Sequence, residues 1–196
     1  MWNKSDGVEN QCEWFEYVDI GIERMSKLVN GLLTLLETEN VDSASKSIQF
    51  DMSKTIEAAI LPMKAEAAQK HISLTATVEP DIMIDGDSET ITQVTTILLD
   101  NAVKYTNDNG WIEMSLIKVK NNAVFSIKNS GEGIPQADMP KIFDRFYRAD
   151  SSRNSKSNSF GLGLPIAKNI IERLGGKISA ACEANGTTVF TFSLRL

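Results

Sequence analysis

Ile97-Leu98-Leu99-Asp100-Asn101-Ala102-Val103-Lys104-Tyr105-Thr106 closes a stretch, residues 87–105, whose apolar residues recur along one side of a helix. Asn101 lies three residues from Lys104 and four from Tyr105, so the three share a face. That face offers an amide oxygen for a hard cation, an ammonium for phosphate and an aromatic ring. Mg²⁺ keeps several waters and takes one or two protein oxygens plus substrate phosphates, so a single asparagine is chemically enough. A solvated helix end would show the same residue types.

Outward from this helix the pattern changes to period two. Residues 111–120 and 122–130 read as strands joined at an Asn121-Asn122 turn, and 48–50, 72–78 and 83–85 as shorter ones. A helix capped by Asp51 or Ser53 runs to about residue 70, with Pro62 expected to kink or break it. His71 follows at its end. A short helix is expected near 139–143, a mobile polar run at 151–159 and a helix over 161–174, stopped by Gly175-Gly176. A hairpin turning at Asn185-Gly186 closes the chain. The sum is a mixed sheet with helices on one face, an α+β sandwich.

Two glycine clusters flank the polar run. Asn129-Ser130-Gly131-Glu132-Gly133-Ile134-Pro135 follows a strand, and its glycines would let a ligand approach the backbone. Phe160-Gly161-Leu162-Gly163-Leu164 opens a helix with Pro165 in its first turn, where bare N–H groups suit an anion. Either cluster alone would equally serve as a turn or cap. The G-x-x-x-x-G-K-[ST] phosphate loop does not occur.

Near the N-terminus, Phe15, Val18, Ile22, Met25, Val29, Leu32 and Leu36 alternate by threes and fours over three heptads, the mark of a helix with a narrow apolar seam. Leu28, Leu33 and Leu35 widen it, which predicts more than one packing partner: the domain's own core, a partner helix or a dimer. Residues 39–47 read as a linker. The 196 residues carry 20 Lys and Arg against 26 Asp and Glu, a net charge of −6 that argues against coating nucleic acid or anionic membrane. Two distant cysteines, Cys12 and Cys182, suggest a reducing compartment, and His71 as the sole histidine excludes an internal multi-histidine metal site. No run reaches the length of a membrane helix and residues 1–11 lack a signal-like apolar stretch, so the chain reads as soluble.

Together these segments resemble the catalytic ATP-binding domain of bacterial sensor histidine kinases, part of a superfamily that includes gyrase, mismatch-repair and chaperone ATPases. Residues 97–106 resemble the asparagine box, 129–134 the first glycine box, Phe143-Asp144-Arg145-Phe146-Tyr147-Arg148 the phenylalanine box, and Gly161-Leu162-Gly163-Leu164 the second glycine box. Residues 25–33 are similar to the second helix of that family's dimerisation hairpin. Four motifs in order are far more specific than any one of them.

The resemblance implies a two-layer α/β sandwich over 47–196, preceded by a partial dimerisation helix and linker over 1–46. It implies ATP and Mg²⁺ as ligands: Asn101 for the metal, Lys104 for phosphate, Tyr105 beside the adenosine, and Arg145 and Arg148 for the terminal phosphates. Asn129, Gly131, Gly133 and Ile134 would line the nucleotide, with Phe143 and Phe146 beside them. Residues 144–160 would form a lid, and Gly161, Leu162, Gly163 and Leu164 a phosphate cradle. The implied function is γ-phosphoryl transfer to a histidine, with a response-regulator receiver domain as partner, a homodimer in the intact protein and no nucleic-acid partner. Such a protein would be cytoplasmic here and meet the membrane only through other segments. The alternative is a non-catalytic nucleotide-sensing or dimerisation module.

Four departures qualify the resemblance. Asn129 stands where the family usually has Asp, predicting weaker or less adenine-selective binding. Ile97 replaces the Asn, or the Glu of the ATPases, which predicts poor free hydrolysis because isoleucine cannot act as a base. Asn158 and Ser159 replace lid glycines. The family's phosphoacceptor histidine would lie upstream of the helix at 12–38, so His71 is expected to be a surface or cap residue and the chain unable to phosphorylate itself alone.

Overall fold

The computed structural model describes residues 6–39, 48–148 and 160–196. The chain runs α1 (Asp6–Glu39), β1 (Ile48–Asp51), α2 (Met52–Gln69), β2 (Ser73–Val78), β3 (Met83–Gly86), α3 (Ser88–Tyr105), β4 (Trp111–Val119), β5 (Asn122–Asn129), a 3-10 turn (Met139–Lys141), α4 (Gly163–Arg173), β6 (Lys177–Cys182) and β7 (Thr188–Arg195). Five strands form one mixed sheet in the order β2-β4-β5-β7-β6, with β2 parallel to β4 and the other pairs antiparallel. β1 and β3 pair separately. Helices α2, α3 and α4 pack on one face of the sheet, as the sequence predicts.

Alternation explains that one-sidedness. Ile112, Met114 and Leu116 of β4 face the helices opposite Asn129, Ile127 and Phe125 of β5. Phe125 stacks on Phe192 of β7 with ring centroids 4.8 Å apart, at the centre of the core. The intervening residues Thr75, Glu113, Ser115, Ser126 and Lys128 line a shallow depression on the helix-free face.

α3 is the helix that carries the site. Asp87 caps it, accepting from the Glu89 N–H at 3.0 Å and from the Thr90 hydroxyl at 2.8 Å. Ile91, Val94, Leu98, Leu99, Ala102 and Val103 form its buried stripe. At its far end the Thr106 hydroxyl donates to the Ala102 carbonyl at 2.6 Å, and the chain turns out of the helix. Asp51 caps α2 through the Lys54 N–H, and hydrogen bonding to the Lys54 ammonium holds its carboxyl below the ordinary value.

Three details differ from expectation. Pro62 does not break α2, which runs unbroken to Gln69; Leu61 and Pro62 lie on its exposed side, where water can reach the carbonyl left without an intrahelical donor. The β4–β5 turn falls one residue early, at Lys120 (φ +56) and Asn121, because Asn122 is held in the sheet by its pairing with Arg195 of β7. In α1, Leu35 is buried and Leu28 half-buried, but Leu33 is exposed, so only the first two dock on the body. The docked side meets α4; the heptad seam faces away from it.

His71 sits at the end of α2 with φ +56, exposed, its N–H on the Ala68 carbonyl. It is a cap residue, as expected. The expected polar run at 151–159 and the expected linker at 39–47, apart from Glu39 at the end of α1, lie outside the described residues.

Candidate functional site

The C-terminal half of α3 gathers the glycine clusters around it. Asn101 is half-buried, and its Nδ2 donates to the Ile97 carbonyl at 2.8 Å. Only the nitrogen can serve a carbonyl acceptor, so the amide orientation is assigned by this bond and Oδ1 is the atom that remains to accept or ligate. One turn on, Lys104 Nζ lies 4.7 Å from the centroid of the Tyr105 ring, and that ring is half exposed. An oxygen, an ammonium and an aromatic face thus stand together at the helix end.

The first glycine cluster closes on that end from the sheet side. A Cβ on Gly131 would collide with the Tyr105 carbonyl oxygen, so glycine is what allows the loop to touch α3. Asn129, at the end of β5, is almost fully buried and donates from Nδ2 to the Ser130 carbonyl at 3.2 Å. Its Oδ1 remains as the acceptor. Ile134 is half-buried beyond the turn at Gly133.

The second cluster closes from the other side. A Cβ on Gly163, the first residue of α4, would lie 3.3 Å from Ile97 Cγ2 and 3.9 Å from Asn101 Nδ2. The N–H groups of the first turn of α4 have no intrahelical acceptors and so emerge beside Asn101. Leu162 is buried, and Leu164 half-buried. The phenylalanine segment is tied to this cluster: the Phe146 N–H donates to the Gly161 carbonyl at 3.0 Å, and both residues have positive φ. Phe143 meets Phe190 edge-on at 6.4 Å, whereas Phe146 is exposed. The Tyr147 hydroxyl donates to Asp138 at 2.6 Å, which raises its pKa and keeps the phenol protonated. Arg145 is exposed and Arg148 half-buried, just before residue 149, where the described chain is interrupted.

Among the described residues no three His, Cys, Asp or Glu side chains are placed to hold a metal. The donor set fits an octahedral hard cation that brings its own waters and phosphate oxygens, with Asn101 Oδ1 as the protein ligand, and fits no all-protein cage.

Residues 86–196 match the family described as "Histidine kinase-, DNA gyrase B-, and HSP90-like ATPase". The chain belongs to this family. It is 34% identical over 176 residues to sensor histidine kinase WalK of Bacillus subtilis, covering 88% of this chain and 28% of that protein. Sensor histidine kinase YkoH of the same organism is 36% identical over 168 residues, 85% of this chain and 36% of its own length. The chain therefore spans about a third of the curated relatives it matches. Among solved structures, histidine kinase ThkA in complex with response regulator protein TrrA aligns with a TM-score of 0.71 and 26% identity, covering 92% of this chain and 50% of that one. The domain is that of a bacterial sensor histidine kinase, a nucleotide-binding domain. No helix among the described residues is long and apolar enough to cross a membrane.

Two contacts have no counterpart in the sequence reading. A Cβ on Gly31 of α1 would lie 3.0 Å from Leu162 Cδ1, so α1 rests directly on the second glycine cluster. The β6–β7 hairpin rests on the first cluster, with Cys182 Sγ accepting from the Ile134 N–H at 3.3 Å. Neither has a local signal, because each joins segments far apart in the chain.

Asn129→Asp should tighten ATP binding about fivefold and raise the preference for ATP over GTP, since a charged acceptor adds about 1 kcal/mol. It should also lower stability by about 1 kcal/mol, because a carboxylate cannot donate to the Ser130 carbonyl. Nucleotide competition and urea denaturation read the two effects separately; unchanged affinity would contradict the first.

Proposed function

We propose that this chain is the catalytic ATP-binding part of a two-component sensor histidine kinase. Its body would span 47–196, with 1–46 contributing one dimerisation helix and a linker. What supports this most directly is the convergence of two glycine clusters on one helix end, with the phenylalanine segment tied to the second of them and glycines at the close approaches. In this reading the Asn129 acceptor takes the adenine amino group, Tyr105 flanks the adenosine, and Gly131, Gly133 and Ile134 shape the wall. Phe143 and Phe146 support the lid side. Lys104, Arg145 and Arg148 neutralise phosphate charge, and the N–H groups of 161–164 cradle the terminal phosphates. Asn101 would hold Mg²⁺, which when bound would supply positive charge to offset that of the phosphates.

Transfer forms a bond between the γ-phosphorus and an imidazole nitrogen of an acceptor histidine, and breaks the β–γ bridging P–O bond to release ADP. The domain's contribution is positioning and charge stabilisation. Ile97 stands against Gly163 and carries no group able to activate water, so free hydrolysis is expected to be slow. His71, on a helix cap, is not the acceptor in this reading. A receiver domain of a response regulator would take the phosphoryl group next, in line with the partner named for ThkA. The working assembly is a homodimer in the cytoplasm, attached to membrane only through other segments.

The test is to incubate the chain and Mg²⁺ with γ-labelled ATP and a separate helix that carries a histidine and complements the α1 seam. Acid-labile label on that helix is the expected result. ATP binding without transfer would overturn the kinase reading, and steady hydrolysis above background would favour a free ATPase.

A further inference from the structure

The turn between β6 and β7 belongs to none of the four nucleotide segments, yet it is built into the first glycine loop. Gly186 has φ +85, and a Cβ there would run into the carbonyl oxygen of Gly131. Gly133, with φ +77, faces back: its Cβ would stand 2.6 Å from Cys182 Sγ and 3.2 Å from the Gly186 Cα. Cys182 Sγ also accepts the Ile134 N–H at 3.3 Å. On its other side Gly131 abuts the Tyr105 carbonyl. The end of α3, the loop and the hairpin turn are therefore stacked backbone on backbone. Among the described residues, the side chain set against Gly133 here is that of Cys182, too short to absorb much displacement.

Resting on the reading that residues 129–134 line the adenine subsite, we propose that Gly186, with Cys182, is a positioning residue for the nucleotide. The hairpin turn sets the height of the loop over Tyr105. It acts through Gly131, Gly133 and Ile134, and touches no ligand itself. Any side chain at 186 pushes Gly131 toward α3, where the Tyr105 carbonyl is already in contact, so the loop must move sideways across the base site.

Gly175, at the other end of β6, supplies an internal control. Its φ is +71, and nothing lies within 4 Å of where its Cβ would be. Gly175→Ala and Gly186→Ala thus impose the same kind of backbone strain, but only the second presses on the loop. The readouts are the dissociation constant of a fluorescent ATP analogue with Mg²⁺ and amide NMR shifts of the nucleotide-free full chain. Gly186→Ala should bind about tenfold more weakly, the loss of about one good hydrogen bond to the base, and shift the amides of 131–134. Gly175→Ala should match wild type in affinity while losing thermal stability through the shared backbone strain. Cys182→Ser, which keeps an acceptor for Ile134, should bind better than Cys182→Val. Equal effects of the two alanines on affinity, or none from Gly186→Ala, would overturn the proposal while leaving the nucleotide site standing. A wild-type chain that binds no analogue would overturn the site reading, and the positioning role with it.

Discussion

Asn101→Ala is expected to lower Mg²⁺-dependent phosphotransfer by at least about a hundredfold, about 2.7 kcal/mol of transition-state stabilisation, while leaving the fold intact. Among the described residues the half-buried side chain bonds to the carbonyl of Ile97 on its own helix, and alanine is a better helix former than asparagine. Thermal denaturation should therefore differ little between variant and wild type. The loss falls on catalysis because, in the proposed site, Oδ1 is the protein oxygen that holds the cation, and phosphate alone would hold the metal less firmly. Asn101→Asp separates the amide's two roles. It keeps an oxygen for the metal but loses the donor to the Ile97 carbonyl, so the carboxylate is no longer aimed, and a loss of about tenfold is expected. Single-turnover transfer across a Mg²⁺ titration measures both. A wild-type rate for Asn101→Ala, or a loss that merely follows unfolding, would remove Asn101 from the site.

What could be read from the sequence was what is local or periodic. The α3 stripe, the alternation of β4 and β5 and the Gly175-Gly176 stop each repeat or interrupt a pattern within a few residues, and the elements formed where those patterns placed them. Asn101, Lys104 and Tyr105 were legible as a group because helical spacing alone puts them on one face. The two glycine clusters could be seen, but not what they press against: Gly131 on Tyr105 joins positions 26 apart, and Gly133 on Cys182 joins positions 49 apart. That α2 continues through Pro62 was hidden for a related reason. A proline's effect depends on whether its side of the helix is dry, and that is a property of the packed structure. In α1, Leu33 and Leu35 look alike in sequence, yet only Leu35 turns toward α4.

That division within α1 gives the other large expected effect. Leu28, Gly31 and Leu35 spend one side of the helix on α4 and Leu162, while Phe15, Val18, Ile22, Met25, Val29, Leu32 and Leu36 keep between 38% and 70% of their surface exposed. Covering the remainder of seven such side chains is worth about 1 kcal/mol each, so about 14 kcal/mol when two copies bury theirs together. Association costs about 4–15 kcal/mol in lost freedom, so over all but the top of that range the balance favours self-association through this seam. Sedimentation equilibrium should accordingly give at least twice the mass of a single chain. Ile22→Glu combined with Val29→Glu places charges in the middle of the seam and should return the chain to a monomer, with the thermal transition of the body unchanged because neither side chain faces α4. Leu35→Glu is the opposite case: it buries a charge in the core and should destabilise the body by several kcal/mol. A monomeric wild type, or a doubly charged variant that still associates, would show that the seam is not what holds the copies together. Because Gly31 rests on Leu162 only one step around the same helix, whatever covers the seam also fixes the strut behind the second glycine cluster. The seam and the proposed phosphate cradle therefore share one element, and seam variants should be assayed for nucleotide affinity alongside mass.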